Sequence, residues 1–273
     1  MLKKFDSPTS DYRKLFDFTG RTAVVLGAAS GIGKFSAEAL AALGARVLCA
    51  DRTQEGVEAT AVAIRKQSSL SVATSCDAAA DDEALAAKAL VEFPRVDIAV
   101  TTPGLNIRKT ILDYTDEDLD RVINLNIKGT VWFFLAFGRV MVEQHSGSLI
   151  ACSSVRSVTI EPGLAIYGST KAAIGLLVKG FASEVGRSGV RVNAIAPSIA
   201  ETALTGPFKQ RPDIYNLYAG HTVFNRWSSA DEVATAVAYL ASDAASYASG
   251  STLFVDGGWI AVDGPPTGLT QLR

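Results

Sequence analysis

The stretch Arg21-Thr22-Ala23-Val24-Val25-Leu26-Gly27-Ala28-Ala29-Ser30-Gly31-Ile32-Gly33 decides the fold. The apolar run ending at Leu26 reads as a buried strand. Glycines at 27, 31 and 33 then form a tight turn that opens a helix. Its apolar face is expected at Ile32, Phe35, Ala39, Leu40 and Leu43, and Gly44 stops it. Strand, glycine-rich turn and helix N-terminus in that order make an anion site, because backbone N–H groups and the helix dipole point at a pyrophosphate. The spacing is G-x-x-x-G-x-G, not G-x-G-x-x-G. A turn that is merely tight would show the same glycines.

Outward from this stretch, strand and helix patterns alternate up to Val255. Strands are expected at Arg21–Leu26, Ala45–Ala50, Ser71–Cys76, Val96–Val100, Gly147–Cys152, Val190–Ala196 and Ser251–Val255, with helices at Gln54–Gln67 and Asp116–Phe137. Alternation of this kind predicts a single α/β domain, a Rossmann-like, doubly wound parallel sheet of seven strands with helices on both faces. Ser229-Ala230-Asp231-Glu232 is a capping box opening a further helix with Val233, Val237 and Leu240 on its apolar face. The domain is expected over 16–259, after a flexible arm at 1–15 and before a tail at 260–273. The segment from Ala203 to Trp227, carrying Phe208, Tyr215, Tyr218, Phe224 and Trp227, has the length of a lid.

Bulk properties exclude several functions. Of 273 residues 48% are hydrophobic, enough to cover a sheet on both faces, and the formal net charge is −2. No global basic field invites nucleic acid or an anionic membrane. Cys49, Cys76 and Cys152 fall in or at the end of strands and read as small buried hydrophobes. None has metal-ligand spacing, and His145 and His221 have no clustered partners, so no metal is expected. The first ten residues are polar and charged, and no run reaches the eighteen apolar residues of a membrane helix. A soluble cytoplasmic protein is the expectation.

Tyr167-Gly168-Ser169-Thr170-Lys171 carries the chemistry. Tyrosine and lysine four apart on a helix share a face, so the phenol feels a fixed cation. The cation is expected to draw its pKa down from about 10, toward a useful proton donor and acceptor. Ser154 lies at the end of the strand Gly147–Cys152, where open α/β sheets bind ligands. Asp51 ends the second strand, placed to accept hydrogen bonds from the two hydroxyls of an adenosine ribose and to repel a 2′-phosphate. Arg52 follows it, and Ser30 stands where a basic residue would favour that phosphate. These features favour NAD over NADP.

The glycine turn, Ser154 and the Tyr167–Lys171 pair together resemble the short-chain dehydrogenase/reductase family, over about residues 16 to 259. The resemblance implies the remaining roles. Tyr167 exchanges a proton with the substrate oxygen, Ser154 holds that oxygen, and Lys171 holds the nicotinamide ribose hydroxyls. Asn126 holds a water that links Lys171 to solvent. Gly27, Ser30, Gly31, Ile32, Gly33, Asp51, Arg52, Asp77, Ala78, Gly104, Pro197, Ala200 and Thr202 join Tyr167 and Lys171 in binding the cofactor. Asp77 and Ala78 are expected at the adenine edge, and Thr202 at the carboxamide. The chain departs from the family pattern at Leu26 (threonine), at Thr101-Thr102-Pro103 (Asn-Asn-Ala), at Ser198 (glycine) and at Ala200 (a branched residue). The Leu26 change removes a turn hydrogen bond, and the Thr-Thr-Pro change puts the stiffness of that strand end in question. The family also implies a homotetramer built partly on the helix run Ala172–Val178.

Arg108, four beyond Gly104, and Arg156, two beyond Ser154, are the basic residues expected near substrate. Guanidinium groups match carboxylates and also bind vicinal hydroxyls. With Gly104-Leu105-Asn106-Ile107-Arg108, the chain looks most like the sugar and sugar-acid dehydrogenases of the family, such as those acting on gluconate and deoxygluconate. The expected substrate is a small hydroxylated or anionic molecule. Two surface arginines would give the same pattern. A 3-oxoacyl carrier-protein reductase and a non-catalytic NAD-sensing protein are the competing readings.

Overall fold

The computed structural model describes residues 11–67, 70–202 and 205–262. Strand β1 (Thr22–Leu26) is buried at every position, as a strand covered on both faces must be. Its side chains alternate between two cores. Val24 and Leu26 join one, with Phe133, Phe134 and Phe137; Ala23 and Val25 join the other, with Leu40, Val57 and Val237.

Helix α1 (Gly31–Ala42) follows the glycine turn, and then β2 (Arg46–Asp51), α2 (Gln54–Lys66), β3 (Ser71–Ser75), α3 (Asp82–Glu92) and β4 (Ile98–Thr101). The second half brings α4 (Asp116–Ile123), a π-helical stretch at Asn124–Gly129, α5 (Thr130–Glu143), β5 (Gly147–Cys152), α6 (Ala165–Val185) and β6 (Val190–Pro197). A two-residue strand pair, β7 (Ala200–Glu201) and β8 (Ser228–Ser229), brackets α7 (Gly206–Lys209) and α8 (Pro212–Ala219). Helix α9 (Ala230–Ala241) and β9 (Thr252–Val255) close the fold. The parallel sheet runs β3-β2-β1-β4-β5-β6-β9, so the seven expected strands all form. Strand order reverses between β1 and β4, and the ligand crevice lies there, beyond the carboxyl ends of the strands.

Four expectations are corrected. The buried face of α1 is Gly33, Ser36, Ala37, Leu40 and Ala41, with Leu43 exposed and Phe35 and Ala39 only partly covered. Small residues face inward because α1 lies close against α9. The helix expected to end at Phe137 runs on to Glu143. With α4 and the π-helical stretch it forms one helix, Asp116–Gln144, long and apolar enough by length and composition to cross a membrane. Half of its most apolar window is buried, and Phe133, Phe134, Phe137 and Met141 sit in the sheet's core, which marks a core helix. The segment from 203 to 227 carries α7 and α8 and is no structureless loop; residues 203 and 204 lie outside the described residues. The arm expected at 1–15 ends in a 3-10 turn, Tyr12–Phe16, capped by Asp11, and its first ten residues lie outside the described residues, as does the tail from 263 onward. The capping box at Ser229 and Glu232 forms as expected, and all three cysteines are buried and free.

Candidate active site

The glycine turn is packed to the backbone. Gly27 has φ +90°, and a Cβ there would lie 2.2 Å from Thr102 Oγ1. A Cβ on Gly33 would lie 2.1 Å from the Gly27 carbonyl oxygen. The Thr102 backbone N–H and hydroxyl both donate to the Leu26 carbonyl, each at 3.0 Å. Ser30 caps α1 in extended backbone without a side-chain bond.

Asp51 Oδ1 accepts from Thr53 N at 3.0 Å, and Oδ2 from Ala29 N at 3.4 Å, which holds the carboxylate beside the turn. Arg52 is exposed. Asp77 Oδ1 accepts from Ala79 N, and Ala78 sits buried against the Gly129 backbone. This set fits a dinucleotide: a cradle a methyl group would fill, a helix N-terminus for its pyrophosphate and a carboxylate for its diol.

On the other side of the crevice, Ser154 ends the strand–loop junction after β5 and its Oγ accepts from Arg156 N at 3.1 Å. Ser154 and Tyr167 line the same cavity. Lys171 Nζ stands 5.7 Å from the Tyr167 ring centroid and donates to the Cys152 carbonyl at 2.8 Å. The lowered phenol pKa expected from this pair is not found. Burial, with Cys152 nearby, pushes Tyr167 up to about 12, against the opposing pull of Ser154 and Arg156. Lys171 is itself buried, which lowers its own pKa, and its ammonium turns to a carbonyl instead of the phenol.

Asn126 sits in the π-helical stretch, fully buried. Its amide accepts from Leu105 N at 2.8 Å and donates to Leu105 O and Thr170 Oγ1, each at 2.9 Å. It clamps the loop after β4 to α6. A Cβ on Gly104 would come within 3.1 Å of Lys171 Nζ, so the glycine gives the lysine its space. Thr202 N and hydroxyl both meet Thr205 Oγ1, and the Thr202 side chain closes on Gly31. Pro197 and Ala200 border the same cavity of about 470 Å³, which also contains Ile32, Ser154, Tyr167 and Lys171.

Arg108 and Arg156 do meet in this cavity, as expected, but they meet on Glu161. Arg108 Nη1 donates to Glu161 Oε1, Arg156 Nη2 to Oε2 at 2.7 Å, and the Tyr218 hydroxyl to Oε1 at 2.7 Å. Arg108 Nη2 also donates to the Tyr218 hydroxyl at 3.2 Å. Arg156 lies 5.0 Å over the Trp259 ring. Burial works against the Glu161 carboxylate, yet Arg108, Tyr218 and Arg156 hold its pKa below the usual range. Sequence reasoning missed Glu161 and Trp259 and saw Tyr218 only as a lid aromatic. No metal-binding cluster occurs among the described residues.

A family profile described as enoyl-(acyl carrier protein) reductase matches residues 27–260. The chain belongs to the short-chain dehydrogenase/reductase family. It is therefore an oxidoreductase acting on CH–OH donors with a nicotinamide cofactor. Galactitol 2-dehydrogenase (L-tagatose-forming) of Cereibacter sphaeroides is 34% identical over 91% of this chain and 98% of its own. A 3-oxoacyl-[acyl-carrier-protein] reductase of Rickettsia felis is 30% identical over 91% and 100%. The crystal structure of a gluconate 5-dehydrogenase from Burkholderia cenocepacia, in complex with NADP and tartrate, superposes with a TM-score of 0.88 at 29% identity, covering 93% of this chain and all of that one.

Proposed function

We propose that this enzyme transfers a hydride between NAD and a secondary alcohol, ketone or hemiacetal carbon of a sugar, sugar acid or polyol. The observation that carries the reading is the polar wall Arg108–Glu161–Arg156–Tyr218 facing Ser154 and Tyr167 in one cavity. The largely buried Arg156 guanidinium, 11% exposed, would be costly facing an apolar acyl chain, and with the half-exposed Arg108 it is satisfied facing hydroxyls. The galactitol and gluconate enzymes among its relatives support the same substrate class.

Ser154 donates to the substrate oxygen and Tyr167 exchanges the proton with it. The bound nicotinamide supplies hydride chemistry of its own. Lys171 holds the ribose hydroxyls. Asn126 fixes the loop beside Lys171 and holds the water that carries the proton outward. Asp51 supports NAD, because a 2′-phosphate beside it would meet a like charge, although the Burkholderia relative binds NADP. Helices α7 and α8 close over the substrate. A homotetramer is proposed too: α6 exposes Ala172 and Leu176 while Ile174 and Val178 face the core. A monomer mass by light scattering would refute it.

The test of the substrate class follows NADH absorbance with polyols, sugars, sugar acids, a simple apolar ketone and a 3-oxoacyl thioester. Turnover concentrated in the hydroxylated set is expected. Equal or better turnover of the apolar ketone or the thioester would overturn the reading.

A further inference from the structure

Glu161 already serves as the carboxylate of the two arginines that face the reacting groups. From this we infer that the enzyme takes an uncharged polyol or ketose in preference to a sugar acid, with Glu161 as the residue that sets the choice. This rests on the sugar reading above and narrows it.

The hydrogen-bond inventory of the cluster leads to it. Glu161 Oε1 accepts twice, from Arg108 and from Tyr218, and both of its lone pairs are used. Oε2 accepts once, from Arg156, and keeps one lone pair. Arg108 spends two N–H groups on Glu161 and Tyr218, and Arg156 spends one on Glu161. Each guanidinium carries five, so donors remain on both. The wall therefore presents spare donors beside a spare acceptor. A hydroxyl both donates and accepts, so a vicinal diol uses both kinds. A carboxylate only accepts, and it would bring a second negative charge against Glu161.

Position makes the discrimination act on the substrate. Arg156 is tied through its backbone to Ser154, whose hydroxyl meets the substrate oxygen. Arg108 comes from the loop after β4, Glu161 and Arg156 from the loop before α6, and Tyr218 from α8. Trp259 backs the Arg156 guanidinium at 5.0 Å, and both line the cavity. The carboxylate is ionised through the working pH range, because its partners hold its pKa below the usual value.

The test compares kcat/KM for hexitols and for aldonates, with NAD, in the wild-type enzyme and in Glu161→Gln and Glu161→Asp. Glu161→Gln puts an amide where a carboxylate accepted, and frees a guanidinium charge. The wild type is expected to favour the hexitol. In Glu161→Gln the hexitol-to-aldonate ratio falls by roughly tenfold or more, the size of one charge-assisted hydrogen bond. Glu161→Asp keeps the charge and keeps the preference. NADH affinity and Tm serve as controls, since a merely structural loss would lower both substrates together and leave the ratio unmoved. An unchanged ratio in Glu161→Gln overturns the assignment. So does a wild-type preference for the aldonate, which decides the matter even if the variant fails to fold. Turnover of neither class, beside good turnover of the apolar ketone, instead removes the sugar reading and this inference with it.

Discussion

The two sides of the crevice are built in opposite ways. The cofactor side is backbone: Gly27, Gly33, the Leu26 carbonyl and Thr102 lie so close that a single methyl group has no room. The substrate side is long side chains, Arg108, Arg156, Glu161 and Tyr218, gathered from three segments and held by charge. The first tolerates no variation in shape. The second can change its chemistry by one residue without moving the fold. A family that keeps one cofactor and changes substrates would be expected to divide its labour in this way.

The largest break is expected where the two sides meet. Tyr167→Phe removes the proton donor and little volume. We expect kcat to fall by about 10²–10⁴-fold, the range of general acid–base groups, with NADH Kd by fluorescence nearly unchanged. Retention of more than about a tenth of kcat would place proton transfer elsewhere. Lys171→Ala should weaken both turnover and NADH binding.

The same contrast explains what could be read in advance. The sheet was legible because most of its strands are apolar runs bounded by turn residues, and β5 matches to the residue, while β3, Ser71-Val72-Ala73-Thr74-Ser75, is the least apolar of them. Tyr167, Lys171 and Ser154 were legible because short spacings on one helix and one strand end fix their meeting. Glu161 was not, because its partners Arg108 and Tyr218 lie 53 and 57 residues away along the chain. Its local hints were Arg156, five residues before it, and its own place seven beyond Ser154, next to Pro162-Gly163. The phenol pKa was misjudged because helical spacing places a cation but says nothing about its desolvation.

A second break uses a pair of carboxylates. Glu161 has three partners; Asp82, at the start of α3 near the expected adenine edge, is 2% exposed and both its oxygens lack a hydrogen-bond partner. Burial, then Asp81 and Asp77, push its pKa up to about 7. An unfolded aspartate titrates near 3.9. Between those values the folded state holds the extra proton, so stability falls as pH rises from about 4 to 7 and is flat above. Asp82→Asn removes this slope. The unfolding free-energy difference, variant minus wild type, should grow across that window, with about 4 kcal/mol as its upper bound at 1.36 kcal/mol per unit, and Tm should follow the same trend. A difference independent of pH would show that Asp82 is not protonated in the fold.

A double dissociation sharpens the comparison further. Gly33→Ala should cost about 1–3 kcal/mol of stability through overpacking and weaken NADH binding, because the clashing atom is backbone at 2.1 Å. Arg156→Ala should do the reverse. It should raise KM for the true substrate by an amount matching about 1.5–3 kcal/mol and leave NADH Kd alone. If each variant disturbed both ligands equally, the crevice would not be divided as described.

The smallest effect tests the one place where the backbone-built side reads its ligand through a side chain. Asp51 holds its carboxylate on Thr53 N and Ala29 N, at the rim of the glycine turn. There it both pairs a ribose diol and opposes a 2′-phosphate. Arg52, exposed and next in sequence, is a group able to meet that phosphate. In the wild type the carboxylate comes first, and NAD should give the higher kcat/KM. Asp51→Ala removes the repulsion and the diol contact together, and leaves Arg52 to act. The NAD-to-NADP ratio should therefore fall about tenfold, the worth of about 1.4 kcal/mol. Most of the change should appear in KM, since the reacting end of the cofactor is untouched. A wild-type enzyme that already prefers NADP would mean that Arg52, not Asp51, governs this end of the site. The cofactor side would then be set, like the substrate side, by an exposed guanidinium instead of by a carboxylate pinned to the turn.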